Sequence, residues 1–266
     1  MKDKKKILIP ALLGCFIPLI LYKIIGKIIR SHILNEYYSN FFSQVIFALF
    51  TFISVIVLKK THIYSCDNKK LKKGWTSSIL LIVLMCFYMV FAWIMLFNIQ
   101  ATPLELLCFL GQLFLIGYCE ETLFRGIMQN AYQGVVGEDS QLHVIIAIVL
   151  GGFTFGLTHL SNIFSDVNPM AAIVQATLTS FMGMYFGAIY FRTGKHLWFL
   201  VLLHALWDGV AFLFSGRLAG GSTTDALNAT KEISTSGVLI YGAIYLLATI
   251  IVLRKSKVEP MLHNQL

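Results

Sequence analysis

Two adjacent carboxylates, Glu120 and Glu121, lie inside an apolar segment that is long enough to span a membrane. A charged side chain at bilayer depth is energetically costly, so ionisable residues in such segments usually face a wet cavity and carry function. Two later apolar segments add His159 and the pair His204 and Asp208. We therefore expect these five side chains, on three predicted helices, to form one buried hydrolytic site.

Arg125 follows Glu121 by four residues, which makes the two side chains neighbours on a helix and predicts an ion pair between them. Glu120 is rotated by about 100° from Glu121 and can point to a different surface. An unpaired carboxylate in a low-dielectric environment is suited to act as a general base near neutral pH. The alternative is that both glutamates only join a salt bridge, although one arginine cannot neutralise two buried carboxylates.

The two histidines differ in how strongly each one, taken alone, indicates a functional role. A single histidine such as His159 is more often a packing residue with a hydrogen bond than a catalyst. His204 and Asp208 share a helix face, where such a pair either binds a metal, orients an imidazole or makes only a local hydrogen bond. Both histidines lie inside predicted spans, whereas the other five lie at span ends, in loops or in the tail, and this favours a functional role.

The composition predicts an all-α, polytopic integral membrane protein. Hydrophobic residues make up 57% of the 266 residues and charged residues only 13%, which is too apolar for a soluble domain of this size. A transmembrane helix needs about 20 mainly apolar residues. Stretches of that kind predict about eight transmembrane helices, near residues 7–29, 41–58, 75–99, 104–130, 144–163, 170–191, 196–215 and 237–253.

The polar residues within spans divide the chain into three parts of a single membrane domain. We expect scaffold helices in 1–103, where Ile, Leu, Phe and Val dominate, and a catalytic core in 104–215. The remainder, 216–266, holds an external loop, the last transmembrane helix and a cytoplasmic tail, and its Gly, Ser and Thr content predicts that the loop is flexible. Small residues in the core allow close helix packing: Gly151, Gly152, Gly156, Gly183 and Gly187.

The net charge of +8 is explained by membrane topology rather than by a nucleic-acid partner. The basic residues lie in clusters that precede the first span, separate the second from the third, link the sixth to the seventh and follow the eighth. With eight spans these clusters all fall on one side, which the positive-inside rule makes the cytoplasm. We therefore predict a multi-pass protein of the cell membrane with both termini cytoplasmic. The clusters are Lys2, Lys4, Lys5 and Lys6, then Lys59, Lys60, Lys69, Lys70, Lys72 and Lys73, then Arg192 and Lys195, and finally Arg254, Lys255 and Lys257.

The N-terminus has a basic start and then an apolar run, as in a signal peptide, but the run continues beyond Cys15. We therefore predict an uncleaved first helix. The cysteines are scattered and lack Cys-x-x-Cys spacing, and we expect them to be small packing residues. They are Cys15, Cys66, Cys86, Cys108 and Cys119.

Three motifs in succession resemble a known family. The order Glu-Glu-x-x-x-Arg at 120–125, Phe-x-x-x-His at 155–159 and His-x-x-x-Asp at 204–208 is similar to that of the type II CAAX prenyl endopeptidases and their bacterial relatives, the CPBP or Abi family. The resemblance covers roughly 104–215. It implies an all-helical intramembrane endopeptidase with eight or so spans.

The resemblance also implies roles for individual residues. Glu120 would be the general base that activates water, assisted by His159, while His204 and Asp208 would stabilise the oxyanion. Glu121 and Arg125 would hold the site together, and Phe155 belongs to the second motif.

Asp208 departs from the prenyl endopeptidases, which carry Asn at this position. An ionised Asp cannot donate a hydrogen bond to an oxyanion, so it would instead orient His204, act in its protonated form or bind a metal. Catalytic zinc uses three protein ligands and one open position, and Glu120, His159, His204 and Asp208 would supply such a set. A glutamate base needs no metal, so the preferred mechanism requires no cofactor, with zinc as the alternative.

The leading functional hypothesis is an endopeptidase that cleaves a peptide bond at or in the bilayer. Its partners would be the lipid bilayer and a peptide or protein substrate: a lipidated CAAX-type tail, a bacteriocin precursor or a signalling-peptide precursor, with bacteriocin self-immunity as a biological role. One alternative is a non-catalytic immunity or regulatory protein of the same fold. Another is a proton- or cation-coupled transporter, which would favour discontinuous helices and duplicated halves.

Overall fold

The computed structural model describes residues 2–65 and 67–262, and the regular structure within these ranges is entirely helical. The all-α prediction is therefore confirmed. Twelve α-helices occur in this part of the chain: α1 Lys2–His32, α2 Glu36–Val57, α3 Leu71–Ser77, α4 Ile79–Leu96, α5 Pro103–Glu121, α6 Asn130–Val136, α7 Gln141–Thr158, α8 Pro169–Arg192, α9 Leu197–Phe214, α10 Thr223–Asn228, α11 Thr235–Val252 and α12 Lys255–Leu262.

Seven helical segments are long and apolar enough to cross a membrane, or eight if one bent pair counts as a span, so the protein is a multi-pass membrane protein. The seven segments coincide with seven of the predicted stretches. They are Lys4–His32, Glu36–Val57, Pro103–Val136, Gln141–Ser165, Pro169–Arg192, Leu197–Phe214 and Thr235–Val252.

The third predicted span, 75–99, is not one straight helix. Its N-terminal part lies in α3, and a bend of 58° separates the segment Asn68–Ser77 from α4. Ser78, at the bend, donates a side-chain hydrogen bond of 2.9 Å to the carbonyl oxygen of Gly74. The exposed Lys72, Lys73 and Trp75 of α3 are typical of a membrane interface, which explains why the chain turns before it enters the apolar run of α4.

Close packing of α7 on α8 depends on glycines, as predicted. A methyl group at Gly152 would lie 2.7 Å from the backbone nitrogen of Met184, and one at Gly156 would lie 2.5 Å from the carbonyl oxygen of Ala176. Both distances are shorter than real side-chain contacts allow. The backbones therefore approach as closely as small residues permit.

A similar approach joins α5 to α9. A methyl group at Gly117 would lie 2.6 Å from the carbonyl oxygen of Val201 and 3.4 Å from Cβ of His204. Gly117 therefore lets the glutamates one turn further along α5 meet His204.

The loops gather at two opposite ends of the helix bundle. At the end that carries the basic clusters, His196 Nε2 donates a hydrogen bond of 3.1 Å to Asn68 Oδ1, and Arg192 donates to the carbonyl oxygen of Lys257. Lys195 Nζ lies 2.6 Å from Glu138 Oε1 at the same end. We call this the basic end.

At the opposite end, Asn35 Nδ2 donates to Glu105 Oε1 over 2.6 Å. The segment after α9, which the sequence predicted to be a flexible loop, is helical there: α10 lies between 3₁₀ turns at Arg217–Ala219 and Ala229–Glu232. Ser222 and Asp225 form a capping box at the start of α10. We call residues 217–232 the cover.

Two of the four described cysteines are fully buried, as predicted for packing residues. Cys15 and Cys119 are buried, Cys108 is half-buried, and Cys86 is exposed. Cys66 lies outside the described residues. Helix α1 runs uninterrupted through Cys15.

Candidate active site

The two glutamates end α5 at the point where the helix widens. Residues Thr122–Gln129 form a π-helix whose side chains are all buried, between α5 and α6. In a π-helix each backbone hydrogen bond joins residues that are five positions apart. Such helices are rare, and they frequently mark a functional site. The change of helix type begins directly after Glu121.

Glu121 lies in a buried chain of three charged or ionisable side chains. Its Oε1 is 3.1 Å from Arg125 Nη1 and 2.6 Å from His204 Nδ1. The side chains of Glu121, Arg125 and His204 are 0%, 2% and 3% exposed. The predicted ion pair between Glu121 and Arg125 is confirmed, and His204 extends it.

Aromatic rings and a backbone carbonyl complete the surroundings of Arg125. Its Cζ lies 4.5 Å from the ring centre of Phe155 and 5.6 Å from that of Phe186, distances at which a cation is attracted to an aromatic face. Its Nη2 donates to the carbonyl oxygen of Gly183 over 3.3 Å. Phe155 also meets His204 edge to face at 6.2 Å, so it packs against both ends of the buried chain.

A cavity of about 640 Å³ lies beside this chain, and all four predicted catalytic residues line it. Glu120 and Asp208 are 23% and 20% exposed. His204 Nε2 lies 3.6 Å from Glu120 Oε2 and 3.6 Å from Asp208 Oδ2. The structure thus brings together the residues from the first and third motifs at short range.

His159 begins a 3₁₀ segment, His159–Ser165, that continues from α7. Its Nδ1 lies 3.2 Å from the carbonyl oxygen of Phe155, and its ring meets the Phe155 ring edge to face at 4.9 Å. A carbonyl only accepts hydrogen bonds, so we assign the proton to Nδ1. In the neutral ring, Nε2 is then left as an acceptor.

The position of the proton on neutral His204 also follows from its partner. An ionised Glu121 can only accept, so Nδ1 of His204 donates to it, and Nε2 is the nitrogen nearest Glu120 and Asp208. When His204 is also protonated at Nε2, the imidazolium lies among three carboxylates. Such a group can donate a hydrogen bond to an anion that forms in the cavity.

The four residues that the zinc alternative names all line the cavity. Within residues 2–65 and 67–262, no three His, Cys, Asp or Glu side chains are grouped so that they could hold a metal ion. His204 Nε2 nevertheless lies 3.6 Å from both Glu120 Oε2 and Asp208 Oδ2, so a zinc-dependent mechanism stays the alternative.

The first helix also contributes to the site, although none of its residues is among the predicted site residues. Lys23 of α1 lines the cavity, and its Nζ donates a hydrogen bond of 2.7 Å to Asn162 Oδ1. Asn162 in turn donates over 2.8 Å to Gln175 Oε1 of α8. A lysine inside a predicted span is itself a signal of function, but its proximity to Glu120 depends on tertiary packing.

The fold and the site define a class: a multi-pass helical membrane protein with a carboxylate and histidine site inside its candidate spans. Residues 102–210 match the family described as type II CAAX prenyl endopeptidase Rce1-like. The match confirms the predicted resemblance and supports a protease of the CAAX endopeptidase type. No curated protein and no solved structure matched the chain.

Proposed function

We propose that the protein is an intramembrane endopeptidase in which Glu120 activates water for attack on a peptide bond. The observation that carries the proposal is the different environment of two neighbouring glutamates. Glu121 is buried and contacts Arg125 and His204, whereas Glu120 faces the cavity. A general base must reach a water molecule and remain free to take its proton, and this description fits Glu120.

The proposed reaction follows from the positions of these groups. Glu120 takes a proton from water as the water oxygen bonds to the carbonyl carbon of the substrate. The resulting oxyanion accepts a hydrogen bond from protonated His204 Nε2, and Glu121 stabilises the imidazolium through Nδ1. The carbon–nitrogen bond then breaks, and the proton held by Glu120 passes to the leaving amine.

His159 and Asp208 act on the groups around the reacting bond. His159 orients the attacking water through Nε2, because its Nδ1 proton is engaged by the carbonyl of Phe155. Asp208 contributes to the oxyanion site in its protonated form, since an ionised carboxylate would repel the developing charge. This mechanism uses no metal, and a zinc-dependent mechanism is the competing proposal.

The substrate class we propose is a polypeptide in or at the bilayer. Lipidated CAAX-type tails, bacteriocin precursors and signalling-peptide precursors are members of that class, and bacteriocin self-immunity is a role that such cleavage would serve.

The test is proteolysis in proteoliposomes, with a quenched fluorescent membrane peptide supplied in lipidated and unlipidated forms. We expect Glu120→Gln to lower turnover by about 10²–10⁴, the usual contribution of a general base. Glu259→Gln, at a half-exposed position of α12, is the matched control and should keep full activity. A strong chelator in parallel reactions separates the two mechanisms.

Unchanged proteolysis by Glu120→Gln would contradict the proposal. If neither the native chain nor the variant cleaves either peptide while both bind it, the non-catalytic immunity or regulatory function is favoured instead.

A further inference from the structure

The cavity has a mouth at the end of the bundle opposite the basic end. Its deep part is formed by Glu120, Phe155 and His204, and its outer part by residues of the cover. Among the described residues, none that lines it belongs to the loops of the basic end, which are 59–73, 137–140, 192–196 and 253–262. A molecule that enters the cavity from the aqueous phase therefore passes the cover.

The two ends of the bundle differ strongly in charge. Fifteen of the chain's 21 Lys and Arg residues lie in the four clusters of the basic end. Among the described residues, only Lys27, Arg30, Arg217 and Lys231 belong to the segments at the other end, together with five carboxylates. Because a bias of Lys and Arg sets the orientation of membrane proteins, the basic end is expected in the cytoplasm.

The cover is attached to the rest of the bundle on two sides of the mouth. Arg217 Nη2 lies 3.6 Å from Glu36 Oε2, and the backbone nitrogen of Thr223 donates to Glu36 Oε1 over 2.8 Å. On the other side, Thr230 Oγ1 donates to the carbonyl oxygen of Ala171 over 3.2 Å. The mouth is thus bordered by a helical segment that the aqueous phase at that end can reach.

From these observations we infer that the cavity opens to the outer face of the membrane and that its substrate is a polypeptide segment which emerges on that face. The inference rests on the proposed function only where it calls the bound polypeptide a substrate. The direction in which the cavity opens does not depend on catalysis. A tail anchored at the cytoplasmic face would meet the closed end of the cavity. Among the proposed substrates, exported precursors are therefore favoured over cytoplasmic CAAX-type tails.

Thiol labelling in intact cells tests the direction of opening without any reference to activity. The background is the full chain with its five cysteines replaced by alanine. Single cysteines are then placed at Ala211, which lines the cavity one helical turn from Asp208, and at Thr224 in the cover. Lys60→Cys, at an exposed position of the basic end, is the control.

We expect a membrane-impermeant maleimide to label Ala211→Cys and Thr224→Cys in intact cells, and Lys60→Cys only after permeabilisation. Labelling of Ala211→Cys only after permeabilisation would overturn the inference. So would labelling of Lys60→Cys and Ala211→Cys to the same extent in intact cells. Adding Glu120→Gln to Ala211→Cys should leave the labelling unchanged, which separates this result from failure of the proposed catalysis.

Discussion

Glu120 and Glu121 are adjacent in the chain but occupy different environments, one open to a cavity and one with no exposed surface. Loss of charge should therefore have different effects at the two positions. Glu121→Gln leaves Arg125 buried without its ion pair, and removing one partner of such a pair costs about 3–5 kcal/mol. We expect less folded protein in the membrane and a lower Tm in detergent for Glu121→Gln.

Glu120→Gln is the matched control, because it removes the same charge one residue away where the side chain reaches the cavity. It should leave abundance and Tm close to those of the native chain. An equal loss of folded protein in both variants would indicate that the glutamates have only a structural role.

Asp208 is the residue at which the metal-free and zinc mechanisms differ most. If it supplies an oxyanion donor, Asp208→Asn keeps a donor and should retain activity. Asp208→Leu removes the donor and should cost roughly 2.7–4 kcal/mol of transition-state stabilisation. Turnover and metal content of purified protein test this, because chelator-sensitive activity lost in both variants would support zinc.

At the scale of helices, the site depends on the contact between α5 and α9. Gly117→Ala would place a methyl group 2.6 Å from the carbonyl oxygen of Val201, so the helices must separate and the contact between Glu121 and His204 must lengthen. We expect a fall in both Tm and turnover. Gly134→Ala in α6 is the control, since its methyl group would meet only Ile7, at 3.6 Å.

Gly134→Ala should be neutral or stabilising by up to about 1 kcal/mol, because alanine favours a helix over glycine. Equal effects of the two substitutions on Tm would show that the contact between α5 and α9 is not as tight as the structure indicates.

The long helices and the motif residues could be predicted from sequence, because an apolar run of membrane length and an ionisable residue within it are local signals. The bend at Ser78 could not be predicted in this way, since hydropathy measures apolarity and not direction. The cover was missed because α10 has only six residues, too few for a periodic pattern. Lys23 was passed over because its neighbours in the cavity come from α5, α8 and the 3₁₀ segment, far away in sequence.

At the scale of the whole molecule, the gathering of basic loops at one end agrees with the predicted topology. Reporter fusions after Lys73 and after Arg254 should both report the cytoplasm, because the positive-inside rule places the basic end there. A fusion after Gly220, in the cover, is the control and should report the outer face. A cytoplasmic signal at Gly220 or an external one at Lys73 would show that the orientation is wrong.

Three helices beside the cavity, α4, α9 and α11, have 18 residues each. They meet around Tyr88, whose hydroxyl lies 2.5 Å from that of Tyr241 and whose ring contacts Trp207 and Phe214 edge to face. At about 1.5 Å per residue each is roughly 27 Å long, whereas the hydrocarbon core of a typical bilayer is about 30 Å thick.

The three helices α4, α9 and α11 form one wall of the cavity, and this wall is short for an average bilayer. Helix α1, with 31 residues, is not short. Lipid beside the wall must compress to match it, at a cost of a fraction of a kcal/mol per Å. We expect turnover in short-chain phosphatidylcholine to exceed that in long-chain phosphatidylcholine, with Tm changing in the same direction. The thickness of the surrounding membrane would then regulate the enzyme, so the same chain would work at different rates in thin and thick regions of one cell membrane.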